Sequence, residues 1–233
     1  MTSKTPIPNA VYHSLQRHFP GQRLLGFEPT TGGFSNWTQR AILADQQLII
    51  KAATKPHKRI DIRREASTLQ NLLGADIPIA TVYALDEYED WTVALLSSLP
   101  GRNGLFVLEQ QSPSISALYQ QLARHLAQLH AHPIPQHALL SEPIAQRASA
   151  AFSDCIQLLP TDMIATLTDG LHAMAELPAI HFIHGDPGAH NLLWDNRLTG
   201  LLDWEWAGAG HALLDLAWLK WTLRFRNLGE AVW

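Results

Sequence analysis

The chain has 233 residues, 46% hydrophobic and 16% charged, with a net charge of −4 at pH 7. That composition supports one large or two small lobes around a sizeable core, excludes a disordered chain, and argues against a general nucleic-acid binder. Cys155 is the sole cysteine, Met1–Pro6 has no apolar leader, and no run approaches the roughly 20 apolar residues of a membrane span, so a reducing cytoplasmic setting without membrane partners is expected.

In chain order, Leu24–Phe27 predicts a strand that leads into the glycine turn Thr31-Gly32-Gly33-Phe34-Ser35-Asn36. Trp37–Leu43 and Leu48–Lys51 predict two further strands around the polar turn Ala44-Asp45-Gln46. From Arg59 to Leu73, residues Ile62, Ala66, Leu69, Leu72 and Leu73 recur at helical spacing, and Gly74 suits the stop. Ile77–Ala84 and Trp91–Ser97 predict two more strands, joined by an acidic turn around Asp86-Glu87. Leu99-Pro100-Gly101 breaks the pattern, which places a lobe boundary between residues 1–98, rich in strands, and residues 99–233, mainly helical. Ile115–His130 carries Leu118, Leu122, Leu126 and Leu129 on one stripe, as an amphipathic helix requires. Two further helices are expected at Ile144–Leu158 and Asp162–Ala175. A short strand, Ile180–Ile183, then precedes a hairpin of Leu192–Trp194 and Leu198–Leu202, and a last helix starts near Leu213. The fold class is therefore α+β.

The chemistry concentrates in His184-Gly185-Asp186-Pro187-Gly188-Ala189-His190-Asn191 and in Asp203-Trp204-Glu205. A chain of this composition would show His-x-Asp-x4-Asn by chance about 0.02 times. Phosphoryl transfer needs one group to orient an attacking hydroxyl and others to fix the metal that neutralises phosphate charge. Asp186, Asn191 and Asp203, two carboxylates and an amide, could supply both. Upstream, Lys51 ends an apolar strand and Glu65 follows in a helix, the order of a phosphate-binding lysine and its ion-pair partner. Gly33, Ser35 and Asn36 would bring backbone N–H groups and a hydroxyl near the phosphates, although the segment is not a P-loop.

These residues resemble the aminoglycoside phosphotransferase family, and within it the choline and thiamine kinase-like branch. The resemblance rests on His184-Gly185-Asp186, Asn191-Leu192-Leu193, Leu202-Asp203-Trp204-Glu205-Trp206-Ala207-Gly208 and Asp215-Leu216-Ala217. It spans roughly Leu24 to the end and is sharpest from Phe182 to Leu219. It implies a bilobal protein-kinase-like fold, with a nucleotide-binding N-lobe and a C-lobe bearing the catalytic and metal-binding loops. It also implies ATP- and Mg²⁺-dependent phosphorylation of a small-molecule alcohol. On it Asp186 is the catalytic aspartate, Asn191 and Asp203 are the Mg²⁺ ligands, Lys51 and Glu65 serve the nucleotide, and His184 and Asp215 brace the loop. Relatives continue through further helices beyond the point where this chain ends at Trp233, so an incomplete C-lobe is one expectation.

The acceptor is the open question. Trp194, Trp204, Trp206, Trp218, Trp221 and Trp233 could build an aromatic wall for a cation, or could pack the helical lobe. Choline or thiamine is the first expectation, with Glu205 and Trp206 as the substrate-side residues; an aminoglycoside is the alternative. Two other classes compete. A nucleotide-binding pseudokinase would keep the fold without turnover. A zinc hydrolase would use His181, His184, Asp186 and His190 as ligands, but leaves Asn191, Asp203 and the Lys51–Glu65 pair without a role.

Overall fold

A computed structural model describes residues 7–30, 37–110 and 115–225. The N-terminal part opens with helix α1 (Asn9–His18) and continues through β1 (Leu24–Pro29), β2 (Trp37–Leu43) and β3 (Gln47–Ala53). Helix α2 (Pro56–Asn71) follows, then β4 (Val82–Tyr88) and β5 (Trp91–Ser97). The five strands form one antiparallel sheet in the order β1-β2-β3-β5-β4.

The pleat sorts the side chains of β3. Leu48, Ile50 and Ala52 join Val93 and Leu95 of β5 and pack against Ala10, Val11 and Leu15 of α1. Ile49 and Ala53 face the other core, with Ile62 and Leu69 of α2 and Leu72 just after it. Lys51 has the parity of Ile49 and Ala53, so strand alternation alone directs it to the α2 face. Pro56 at the first turn starts α2 where its missing N–H costs nothing.

The second part begins with β6 (Arg102–Asn103) and α3 (Gly104–Glu109), followed by α4 (Ile115–Ala131), α5 (Ala138–Ser141) and α6 (Ile144–Cys155). After α6 comes a 3₁₀ turn at Ile156–Leu158 and then α7 (Thr161–Glu176). Short strands β7 (His181–Ile183), β8 (Leu192–Trp194), β9 (Leu198–Leu201) and β10 (Gly208–Gly210) precede α8 (Ala212–Phe225). The stripe Leu118, Leu122, Leu126 and Leu129 of α4 is buried against Phe182, Leu192, Leu201 and Trp204, and this core is continuous with the α2 face of the sheet. No described helix is long and apolar enough to cross a membrane.

Two expectations need correction. The strand foreseen at Ile77–Ala84 starts only at Val82. Upstream, Pro78 has no N–H for a ladder, and its carbonyl instead accepts Leu201 N–H at 2.8 Å, docking this segment on β9. Asp86-Glu87 is also not a turn. Both residues lie within β4, opposite Val93 and Thr92, and the chain reverses at Glu89, whose φ is 38°. The acidic pair enters a strand because partners await it. Ser14 Oγ (2.6 Å) and His18 Nε2 (2.9 Å) of α1 meet Asp86, while Arg59 and Arg63 of α2 meet Glu87. Helix α1 was absent from the sequence reading, because its buried face is only Ala10, Val11, Ser14 and Leu15.

Candidate active site

Strand β7, paired with β10, ends where the His184–Asn191 loop begins. Gly185 makes the turn with φ 83°, and a Cβ there would lie 2.8 Å from the Trp206 carbonyl oxygen, so only glycine fits. Asp215, on the first turn of α8 and fully buried, accepts the His184 and Gly185 backbone N–H groups at 3.0 and 2.7 Å. Its Oδ2 also meets His130 Nε2 at 2.8 Å. His184 sets a second brace. Its Nδ1 accepts from Asp186 N–H at 3.2 Å, so Nε2 carries the proton and donates to Leu202 O at 3.0 Å. Burial holds its pKa below the ordinary histidine value despite the surrounding carboxylates, which keeps the ring neutral.

Asp186 collects three donors. Oδ2 accepts from Asn191 Nδ2 and His190 Nε2, each at 3.0 Å, and Oδ1 accepts the Trp218 indole N–H. Asn191 reaches back across the 3₁₀ turn Ala189–Asn191, and its amide nitrogen also donates to the Asp186 carbonyl at 3.0 Å. Both bonds use the nitrogen, so neither occupies the amide oxygen. The Asn191 carbonyl accepts Leu202 N–H at 2.8 Å, joining the loop to the strand end that carries Asp203. A Cβ at Gly188 would collide with the His190 ring, so this glycine is what lets the imidazole fold back on Asp186.

Lys51 meets two carboxylates, Glu65 Oε2 at 2.6 Å and Asp203 Oδ1 at 3.0 Å. Glu65 also accepts the Trp204 backbone N–H. Burial works to lower the Lys51 pKa, but the two carboxylates outweigh it and hold the ammonium above its ordinary value. Glu65, nearly inaccessible, is pushed up by burial. For Asp203, burial opposes ionisation, and Lys51 nonetheless draws the pKa below its ordinary value. Asp203 is a left-handed residue (φ 61°, ψ 68°) just before the 3₁₀ turn Trp204–Trp206, and its side chain makes no capping bond there. A strained non-glycine backbone that frees its carboxylate from capping is the kind of cost tolerated at functional positions.

The residues after Asp203 are held from both sides. Arg147 of α6 donates to Glu205 O (2.9 Å), Trp206 O (3.0 Å) and Ala207 O (3.0 Å), with its guanidinium 5.0 Å above the Trp206 ring. Arg64 of α2 donates to Glu205 O at 3.3 Å and to Leu139 O at 3.2 Å. The Glu205 carboxyl lies 3.8 Å from Lys58, and burial with the Asp203 charge pushes its pKa up to about 7.

The fold thus gathers Lys51, Glu65, Asp186, Asn191 and Asp203, with His184 and Asp215 beneath them. Trp206, Trp218 and Trp221 are all exposed, but Trp206 lies under the Arg147 guanidinium, whereas Trp218, stacked on Trp221 at 5.0 Å on α8, bonds Asp186. Trp194 and Trp204 are buried in the core, and Trp233 lies outside the described residues, as do Gly33, Ser35 and Asn36. The four-residue zinc cluster does not form: among the described residues no three His, Cys, Asp or Glu side chains are placed to hold a metal. His184 spends both ring nitrogens inside the protein, and His181 Nδ1 accepts Ala212 N–H at 3.3 Å. His190 and Trp218 were named in the sequence only for other roles, a zinc ligand and part of an aromatic wall, while Arg64 and Arg147 were missed. So was Asn103, whose amide donates to His190 O at 2.7 Å. Only His190, inside the motif, and Arg64, beside Glu65, carried any local signal.

The phosphotransferase enzyme family model matches residues 26–232. Viomycin phosphotransferase of Streptomyces vinaceus is 24% identical over 227 residues, covering 87% of this chain and 75% of that protein. Among solved structures, the aminoglycoside-3'-phosphotransferase of type VIII superposes with a TM-score of 0.65 at 20% identity, over 95% of this chain and 85% of that one. A thermostable mutant of aminoglycoside phosphotransferase APH(4)-Ia, in ternary complex with AMP-PNP and hygromycin B, gives 0.69 at 16%, over 94% and 82%. The chain belongs to the aminoglycoside phosphotransferase family and has its bilobal protein-kinase-like fold.

Proposed function

We propose that this family member transfers the γ-phosphoryl group of ATP, with Mg²⁺, to the hydroxyl of a small cationic alcohol. The nucleotide is proposed to lie at the junction of residues 1–98 and 99–233. The observation that carries the reading is the linkage of three groups. Asn191 bonds to Asp186 through its side chain and to Leu202 through its backbone, while Asp203, the next residue, bonds to Lys51. Carboxylate and amide oxygens are hard donors, and Asp203, one-third exposed with Lys51 as its hydrogen-bond donor, is open to a cation. Asp203 and Asn191 are therefore assigned to the Mg²⁺ site, and Lys51, kept charged and aligned by Glu65, to the phosphates. When bound, the ion supplies positive charge against the triphosphate.

Asp186 orients the acceptor hydroxyl and takes its proton as the new P–O bond forms and the bond from the γ-phosphorus to the bridging oxygen breaks, releasing ADP. Its Oδ1, now bonded to the Trp218 indole, is the oxygen assigned to that hydroxyl. The exposed Trp218–Trp221 stack beside it suits a positively charged acceptor through cation–π attraction. Choline and thiamine meet that description, and so do polyamino sugars, which the names of the relatives favour. Trp206, already under the Arg147 guanidinium, is assigned a lesser part. The test is turnover of Mg²⁺-ATP by the purified chain with choline, ethanolamine, thiamine, viomycin and aminoglycosides. Phosphorylation of one of these, abolished by Asp186→Asn, is expected. Nucleotide binding without turnover on any acceptor would favour a pseudokinase.

A further inference from the structure

Three successive residues, Asp203, Trp204 and Glu205, are each tied to the N-terminal sheet and its helix. Asp203 is bonded to Lys51 of β3, Trp204 N–H to Glu65 of α2, and Glu205 O to Arg64, the neighbour of Glu65. Arg147 of α6 also takes Glu205 O, with Trp206 O and Ala207 O, so the Glu205 carbonyl is shared by two neighbouring guanidiniums. The same segment supports the catalytic loop, since Gly185 sits against Trp206 so closely that no side chain fits between them. Gly208 borders the clamp in turn, with a Cβ there only 3.3 Å from Arg147 Nη1.

We propose that Arg147 and Arg64 are positioning residues that clamp the 203–207 segment between α2 and α6, holding Asp203 and the Gly185–Asp186 turn in register with Lys51 and Glu65. Both act on backbone carbonyls rather than on the side chains of Lys51, Asp186, Asn191 or Asp203, and Arg147 also stacks on the Trp206 ring. Carbonyls of three consecutive residues converging on one planar fork fix the path of the chain, and a lysine, with a single nitrogen, cannot replace that geometry. Burial, the leading cause, lowers the pKa of both Arg147 and Arg64, the Arg64 charge lowers that of Arg147 further, and the carboxylates of Asp61, Glu142 and Glu205 oppose the shift in both. A fold that needed only packing here would be served by apolar side chains. The bonds dock α2 on the 203–207 segment.

This inference rests on the Mg²⁺-nucleotide site proposed above. Its test is Arg147→Lys and Arg64→Lys in the full chain, with Mg²⁺-dependent AMP-PNP binding followed by calorimetry, alongside thermal unfolding and steady-state kinetics. Each variant is expected to unfold cooperatively near the parent temperature. Each should also need about tenfold more Mg²⁺ for half-maximal nucleotide binding and show a raised KM for ATP. Truncation, as in Arg147→Ala, leaves carbonyls unpaired and is expected to lower folding yield as well, which is why the lysine variants decide. Lysine variants with parental Mg²⁺ midpoint and KM would overturn the clamp while leaving the proposed function standing. A parent protein that binds no Mg²⁺-AMP-PNP would overturn the site itself, and the clamp with it.

Discussion

Two aspartates at the N-terminal sheet gather basic partners and end in opposite situations. Asp86, on the α1 face, is 6% exposed and accepts from Ser14, His18, Arg17 and Tyr88. Asp203, on the α2 face, has Lys51 as its one side-chain hydrogen-bond donor among the described residues, keeps a left-handed backbone, and is one-third exposed. Charge and nearby cations do not separate them. Saturation does: a carboxylate whose lone pairs are all taken by its own chain fastens two elements, whereas one with coordination to spare is available to a ligand. Asp186 lies between these cases, with three donors from residues of its own site.

Breaking the available side should cost the most activity. Asp186→Asn is expected to lower kcat by roughly 100- to 10,000-fold with nucleotide affinity retained, because the group acts on the acceptor. Initial-rate kinetics beside calorimetry checks this, and near-normal turnover would remove Asp186 from catalysis. Asp203→Ala is expected to remove the Mg²⁺ dependence of nucleotide binding, beyond the roughly 10- to 100-fold that indirect metal partners cost. An unchanged Mg²⁺ titration would take it out of the metal site.

The saturated side should answer in stability. Asp86→Ala leaves Ser14 without its acceptor and loosens α1, at about 1–3 kcal/mol, with KM for ATP unaltered; urea unfolding and kinetics together test the separation. The smallest effect is in acid. Hydrogen bonds from Ser14 and His18 outweigh burial and hold Asp86 below the usual carboxylate range, and those from Arg63, Arg59 and Thr92 bring Glu87 to about 2. The unfolded carboxyls titrate near pH 4. Between that and the folded values the unfolded chain binds more protons, so these contacts stabilise fully above roughly pH 4 and fade as pH falls toward 2. The urea midpoint should drop across that window, and less steeply in Asp86→Ala.

Local pattern made much of this protein legible. Trp37–Leu43 and Trp91–Ser97 coincide with β2 and β5, because short runs of aromatic, β-branched and aliphatic residues bounded by turn residues are a strong signal. The stripe from Ile115 produced α4 to within a residue. Elements whose stability comes from distant partners were not legible. These include α1, held by Asp86; the two-residue β6, held by β8; and β10, held by β7. The site divides in the same way. Asp186 and Asn191 announce themselves by spacing, whereas Arg147 is one arginine on an ordinary amphipathic helix.

By itself the sequence determined the chemical inventory and its order along the chain: a strand lysine, a helix glutamate, then an aspartate, an asparagine and a second aspartate. Those follow from residue type and short-range period, which need no knowledge of what lies across the fold. Only the tertiary structure decided that Asp86 is saturated and Asp203 open, that Trp206 belongs to Arg147, and that Trp218 stands at Asp186. Availability for a ligand depends on what the rest of the chain has already bonded, and those bonds join residues up to 152 positions apart.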